Sequence, residues 1–150
     1  MSVRPVQPGD RAEWLRLLAA FYPHHSEADH AVDVDAFLAG RPAGRPRLAA
    51  VFVSPRLEGG LAGFLELSVR DYAEGCAGPT PYVESWFVDP DQRGRGAGAG
   101  LVAAAERWAR ERGYRELASD TLLDNAASLR AHQALGFAEV ERSIHLRKAL

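Results

Sequence analysis

Residues 88–102, VDPDQRGRGAGAGLV, set glycines at 94, 96, 98 and 100 and arginines at 93 and 95 between a strand-like run and a helix-like one. Glycine lets a backbone approach a ligand with no side chain in the way. A helix that starts there presents N–H groups without intrahelical partners, and its dipole favours an anion at that end. Gly94, Gly96 and Gly98 therefore suit a diphosphate, to which Arg93 and Arg95 add positive charge. A nucleoside-triphosphate loop would carry Gly-Lys-Ser/Thr where this chain has Gly-Ala-Gly, and Lys148 is its only lysine. A dinucleotide loop would follow the first strand, whereas this one comes past mid-chain. A plain flexible turn before a helix is the remaining alternative, and the arginines weigh against it.

The whole chain sets the bounds within which that loop works. Its 150 residues, 47% hydrophobic, are enough for one compact domain over 1–150. A formal charge of −2 argues against a nucleic-acid partner, which would select a basic face. Cys76 is the only cysteine, so no internal disulfide is expected. The opening MSVRPVQPGD lacks the apolar core of a signal peptide, and no apolar run is long enough to span a bilayer. The expectation is a cytoplasmic protein with no membrane role.

The elements that must position the loop follow from periodicity. SVRPV reads as a short edge strand, because Pro5 has no N–H to donate. Asp10 is placed to cap a helix whose Trp14, Leu15, Leu17, Leu18 and Phe21 share one face, and Pro23 stops it. A second helix is expected from about Ala31 to Leu38, before the loop RPAGRP. RLAAVFVS and LAGFLELSVRDY read as a hairpin, and YVESWFV as the strand that enters the glycine loop. A helix over GLVAAAERWARER, a strand RELASD, a helix near NAASLRAHQAL and two strands, FAEVE and RSIHLRK, complete the chain.

The loop resembles the acyl-CoA loop of the Gcn5-related N-acetyltransferase (GNAT) superfamily, whose pattern Gln/Arg-x-x-Gly-x-Gly/Ala is matched by Arg93, Gly96 and Gly98. NAASLRAHQALGF resembles the later signature of that superfamily through Asn125, Ser128, His132 and Gly136-Phe137. Within it, the chain is similar to the aminoglycoside 6′-N-acetyltransferases in four stretches: EWLRLLAAFYPHHSEADH, LELSVRDYAEG, YVESWFVDPDQR and LASDTLLDNAASLRAHQALGFAEVE. The resemblance implies an α/β fold with a mixed, mostly antiparallel, splayed sheet of six to seven strands and about four helices. It implies acetyl-CoA as co-substrate. The pantetheine arm would bond the backbone of Trp86, Phe87 and Val88, and the pyrophosphate would bind Arg93, Gly94, Arg95, Gly96, Ala97 and Gly98. Asn125 would cap its helix, whether or not it also meets the coenzyme.

Direct acetyl transfer needs a neutral amine and a proton for the departing thiolate. Glu84, before the loop, and Asp120, ending the next strand, are the carboxylates placed to take the ammonium proton, with an ordinary strand-end acid or turn residue as the alternative for each. His132 stands where the superfamily commonly has a thiolate-protonating Tyr, and imidazole titrates near neutrality. A structural histidine is its alternative. An acidic surface would attract a polycationic aminoglycoside, with Tyr22, Glu27, Glu66 and Tyr72 as further substrate-binding candidates beside Glu84 and Asp120. Cys76 lacks a paired base, and His24, His25 and His30 lack metal-ligand spacing, so neither a covalent intermediate nor a metal is implied. The C-terminal strands would close the chain's own sheet or add to a partner's, and a homodimer is the expectation. The rival readings are another amine acceptor, such as a polyamine or a protein N-terminus, and a non-catalytic acyl-CoA-binding module.

Overall fold

A computed structural model describes residues 2–41 and 47–150; the expected loop at 41–46 lies, from Pro42 on, outside the described residues. One sheet runs in chain order: β1 (Arg4–Pro5), β2 (Leu48–Pro55), β3 (Leu61–Arg70), β4 (Thr80–Val88) and β5 (Ala118–Ser119). Neighbours are antiparallel except β4 and β5, which are parallel. Among the described residues there are four α-helices, α1 (Arg11–Phe21), α2 (Glu27–Leu38), α3 (Ala97–Glu111) and α4 (Ala126–Ala134).

Helices cover both faces of the sheet, which is why β3 is a near-continuous apolar run. Strand alternation sends Phe64 towards α1 and α2, where it packs with Trp14, Leu17, Val34 and Val53. Leu65 and Leu67 point the other way, against Leu101, Val102 and Ala105 of α3. The first face also carries Glu66, buried in the sheet, and its acids and hydroxyls become the acceptor side of the site.

Three boundaries differ from expectation for local reasons. α2 starts at Glu27, not near Ala31, because Ser26 and Asp29 form a reciprocal cap: Asp29 N–H donates to Ser26 Oγ (3.3 Å) and Ser26 N–H to the Asp29 carboxylate (2.7 Å). Asp10 makes no side-chain cap for α1; Arg4 (2.7 and 2.9 Å) and the Gln7 N–H (2.8 Å) hold its carboxylate. The expected strands FAEVE and RSIHLRK are not formed, so the sheet has five strands among the described residues, not six or seven. Residues 138–150 alternate apolar and polar as a strand would, but both edges of the sheet, β1 and β5, are only two residues long. Ile144 and Leu146 are left 79% and 91% exposed.

Candidate active site

The site begins at an irregularity in β4. Glu66 pairs with Ser85 and Leu67 with Val83, so Glu84 is an extra residue, a bulge that bends the strand. On the far side of β4, β5 pairs only at Tyr82↔Ala118 and Val83↔Ser119. The two strands part there. From Glu84 to Val88, β4 keeps β3 on one edge and, among the described residues, has no strand on the other, which leaves backbone groups at Trp86, Phe87 and Val88 for an extended ligand to meet. One of them, the Val88 carbonyl, accepts a hydrogen bond from Arg93 Nε (2.9 Å).

Beyond the open edge lies the glycine loop. Gly94 and Gly96 have φ of +73° and +90°, a conformation that side-chain-bearing residues rarely adopt, and a Cβ on either would meet nothing within 4 Å. The first bond inside α3 runs from Gly100 N–H to Gly96 O (2.9 Å), which leaves Ala97, Gly98 and Ala99 N–H without helical partners at the positive end of the dipole. Trp86 Nε1 donates to Gly98 O (3.2 Å) and ties the helix start to β4. The base of the loop is fixed by Asp89, buried between Arg16 (2.9 Å) and Arg56 (2.7 Å). Burial pushes the Asp89 carboxyl up, and those guanidiniums more than offset it, so it stays ionised. Open glycines, unpartnered N–H groups and exposed Arg93 and Arg95 fit the diphosphate of a coenzyme A.

The two candidate carboxylates share the α1/α2 face but differ in state. Glu84 is nearly enclosed: Arg70 grips it at 2.7 and 2.9 Å, and Ser68 Oγ donates at 2.5 Å. Asp120 is exposed, and among the described residues only the Tyr82 hydroxyl reaches it, at 2.7 Å. Burial, then the hydrogen bond to Asp120, push Tyr82 up, so its hydroxyl keeps its proton and donates. Arg70 also lies 3.6 Å over the Tyr82 ring, linking Glu84, Arg70, Tyr82 and Asp120 in one chain of contacts.

His132 sits on the opposite face, 8% exposed, with Trp86 and Phe137 packed edge-to-face at 4.9 and 5.2 Å. Its Nδ1 lies 2.7 Å from the Ser128 carbonyl, which fixes the proton on that nitrogen, and Nε2 lies 2.8 Å from Ser119 Oγ. Asn125 Oδ1 accepts from Ser128 N–H (3.0 Å) and caps α4, the helix that carries this imidazole.

The remaining candidates scatter. Tyr22 is half-buried on the acceptor face, its hydroxyl 2.7 Å from Ser85 Oγ and donating to the Glu84 carbonyl at 3.3 Å. Glu66 is a correction: it is no surface acid, because strand alternation turns it inward, where Trp14 Nε1 (3.0 Å) and Ser85 Oγ (2.7 Å) donate to it. Tyr72 is 72% exposed just after β3, and Glu27 is exposed in the first turn of α2; among the described residues neither is hydrogen-bonded to the Glu84–Asp120 chain. Sequence reading missed Ser68, Arg70, Tyr82, Ser85 and Ser119. Only the β3 alternation, which sets Glu66, Ser68 and Arg70 on one face, could have pointed to the first two.

A sheet that opens beside a diphosphate cradle, with acids on one face and an imidazole on the other, defines the class of acyl-CoA-dependent transferases. The comparisons agree. A sequence model of the acetyltransferase (GNAT) family matches residues 11–137, and the chain belongs to that family. The aminoglycoside N(6′)-acetyltransferase type 1 of Klebsiella aerogenes is 44% identical over 149 residues, covering 99% of this chain and 96% of its own. That of Salmonella enteritidis is 36% identical, with 99% of each covered. Among solved structures, AAC(6′)-Iy in complex with the bisubstrate analog CoA-S-monomethyl-acetylneamine superposes with a TM-score of 0.86 at 35% identity, over 99% of this chain and 98% of that one.

Proposed function

We propose that the chain, a single domain over 1–150, is an aminoglycoside 6′-N-acetyltransferase that moves the acetyl group of acetyl-CoA directly onto the drug's 6′-amine and so confers resistance. The observation that carries this is the opening between β4 and β5, with Glu84 in the β4 bulge, Asp120 next after β5, and the glycine cradle further along the same edge. Full-length identity to aminoglycoside N(6′)-acetyltransferases supports the acceptor. Bound on Arg93–Gly98 and along Trp86–Val88, acetyl-CoA supplies the acetyl group as an activated thioester.

The chain's own groups do the rest. Asp120, the open carboxylate, orients the substrate ammonium and takes its proton. Glu84, neutralised by Arg70, holds the bulge and shapes the acceptor face, and the Tyr22 ring lines it. Exposed Glu27 and Tyr72 stand outside this pair and contribute through field and rim contact. His132 supplies the proton that the sulfur takes up. The enzyme works in the cytoplasm, where acetyl-CoA is available; no helix among the described residues is long and apolar enough to cross a membrane. It forms a homodimer in which the tail 138–150, rich in exposed apolar side chains, adds a strand to its partner's sheet.

Thiol release from acetyl-CoA tests the reaction, with kanamycin, which has a 6′-amine, offered beside paromomycin, which has a 6′-hydroxyl. Release with kanamycin alone is expected. Silence with both, while acetyl-CoA still binds, would remove the aminoglycoside as acceptor and leave another amine or a binding role.

A further inference from the structure

A departing thiolate must be protonated, yet His132 offers it no nitrogen. Nδ1 is committed to the Ser128 carbonyl (2.7 Å), Nε2 to Ser119 Oγ (2.8 Å), and Trp86 and Phe137 pack against the ring. Direct donation would require the imidazole to break a bond and leave a buried pocket. Ser119 is differently placed. It is the last β5 residue paired with β4, opposite Val83, one rung before β4 bulges and the strands part. It is also half-buried rather than enclosed.

We propose that the Ser119 hydroxyl is the immediate proton donor to the thiolate, and that His132 acts through it. This rests on the reading of the chain as an acetyl-CoA-dependent N-acetyltransferase whose thioester lies at the β4/β5 opening. As the amine nitrogen, already relieved of its ammonium proton, bonds the acetyl carbon and the carbon–sulfur bond breaks, the electron pair of the broken bond goes to sulfur, and the surplus proton of the new amide nitrogen leaves to water. The Ser119 O–H proton passes to that sulfur while the Nε2–H of the His132 imidazolium passes to Ser119 Oγ. His132 is left neutral, still donating Nδ1–H to Ser128, and recovers a proton from water. The hydrogen bond already spans the two groups at 2.8 Å, so the transfer needs only that its direction reverse when the ring is doubly protonated.

Rapid-quench single turnovers with kanamycin, run in mixtures of light and heavy water, test the relay. Ser119→Ala is expected to slow acetyl transfer by ~10–100-fold, at or below the lower range for losing a general acid, with acetyl-CoA affinity kept within about twofold. Ser119→Thr, which restores a hydroxyl, recovers most of the rate. The wild-type rate curves with deuterium fraction, as two protons move together, and the Ser119→Ala rate is linear. A Ser119→Ala enzyme at the wild-type rate overturns the proposal. So does a slow one that Thr does not rescue and whose curvature persists, since Ser119 would then only shape the pocket. A wild type that binds acetyl-CoA but acetylates no amine would sink the acetyltransferase reading and the relay with it, an outcome distinct from an active enzyme indifferent to Ser119.

Discussion

Asp120 and Glu84 differ in their contacts, and those contacts decide their chemistry. The Glu84 oxygens are taken by a bidentate guanidinium and a serine hydroxyl, whereas Asp120 receives a single phenol hydrogen bond and keeps capacity for an ammonium. Asp120→Asn is expected to lower kcat by ~100-fold or more, the usual scale for a general base, with acetyl-CoA binding unchanged. Glu84→Gln should cost less in kcat and more in KM, because Arg70 loses its counter-charge and the acceptor face shifts. Steady-state kinetics with kanamycin separates the two patterns. Glu66 matters to stability instead. Burial pushes it up to about 7, with its Ser85 and Trp14 hydrogen bonds offsetting only part of that rise. The folded chain therefore holds this proton more tightly than the unfolded chain, whose ordinary value is 4.5. Its contribution is fully present below that value and is lost as pH rises through about 7. Relative to Glu66→Gln, the wild type should lose up to roughly 3 kcal/mol of stability across that window, read by urea unfolding near both ends.

At the level of elements, the β3–β4 pair is the platform on which the opening stands. Gly63 lies opposite Val88, and a Cβ there would stand 2.5 Å from the Phe87 carbonyl and 3.1 Å from the Val88 Cα, both backbone atoms that cannot step aside. Gly63→Ala should therefore push the end of β4 away from β3 and cost about 1–3 kcal/mol, the usual range for overpacking. Because Phe87 and Val88 form the open edge, acetyl-CoA affinity should fall with stability, in contrast to Gly9→Ala, where a Cβ meets nothing within 4 Å. Paired thermal melts and coenzyme titrations of the two variants test this. The Asp89–Arg16–Arg56 cluster secures the same strand end from the other side, joining α1, the β2–β3 turn and the start of the glycine loop.

For the whole molecule, the tail is the part that its own chain does not cover. Val140, Ile144, Leu146 and Leu150 are exposed, and the sheet's outer strand, β5, has only two paired residues. An alternating apolar segment on a chain whose sheet ends in short edge strands is suited to pairing between chains. Removal of residues 138–150 should convert a dimer into a monomer, measured by sedimentation. An intact chain that sediments as a monomer at micromolar concentration would refute the exchanged-strand dimer.

The sequence by itself determined the parts that depend on short-range physics. The glycine loop is legible because positive φ at Gly94 and Gly96 and free N–H groups at the start of α3 are local consequences of residue type. Helices α1, α3 and α4 and the β2–β3 hairpin follow likewise from periodicity and punctuation, and the glycine loop together with the later signature at Asn125, Ser128, His132 and Gly136-Phe137 points to the family that the sequence model matches. Only the tertiary structure decided which acid stands open, which is clamped and which is interior. Those outcomes hang on contacts between residues far apart in the chain, such as Trp14 with Glu66 or Tyr82 with Asp120, and on a one-residue bulge that resets every later side chain on β4. The same holds for Ser119, an unremarkable strand residue until α4 brings His132 against it, and for the tail, whose alternation specifies a strand but not whose sheet it joins.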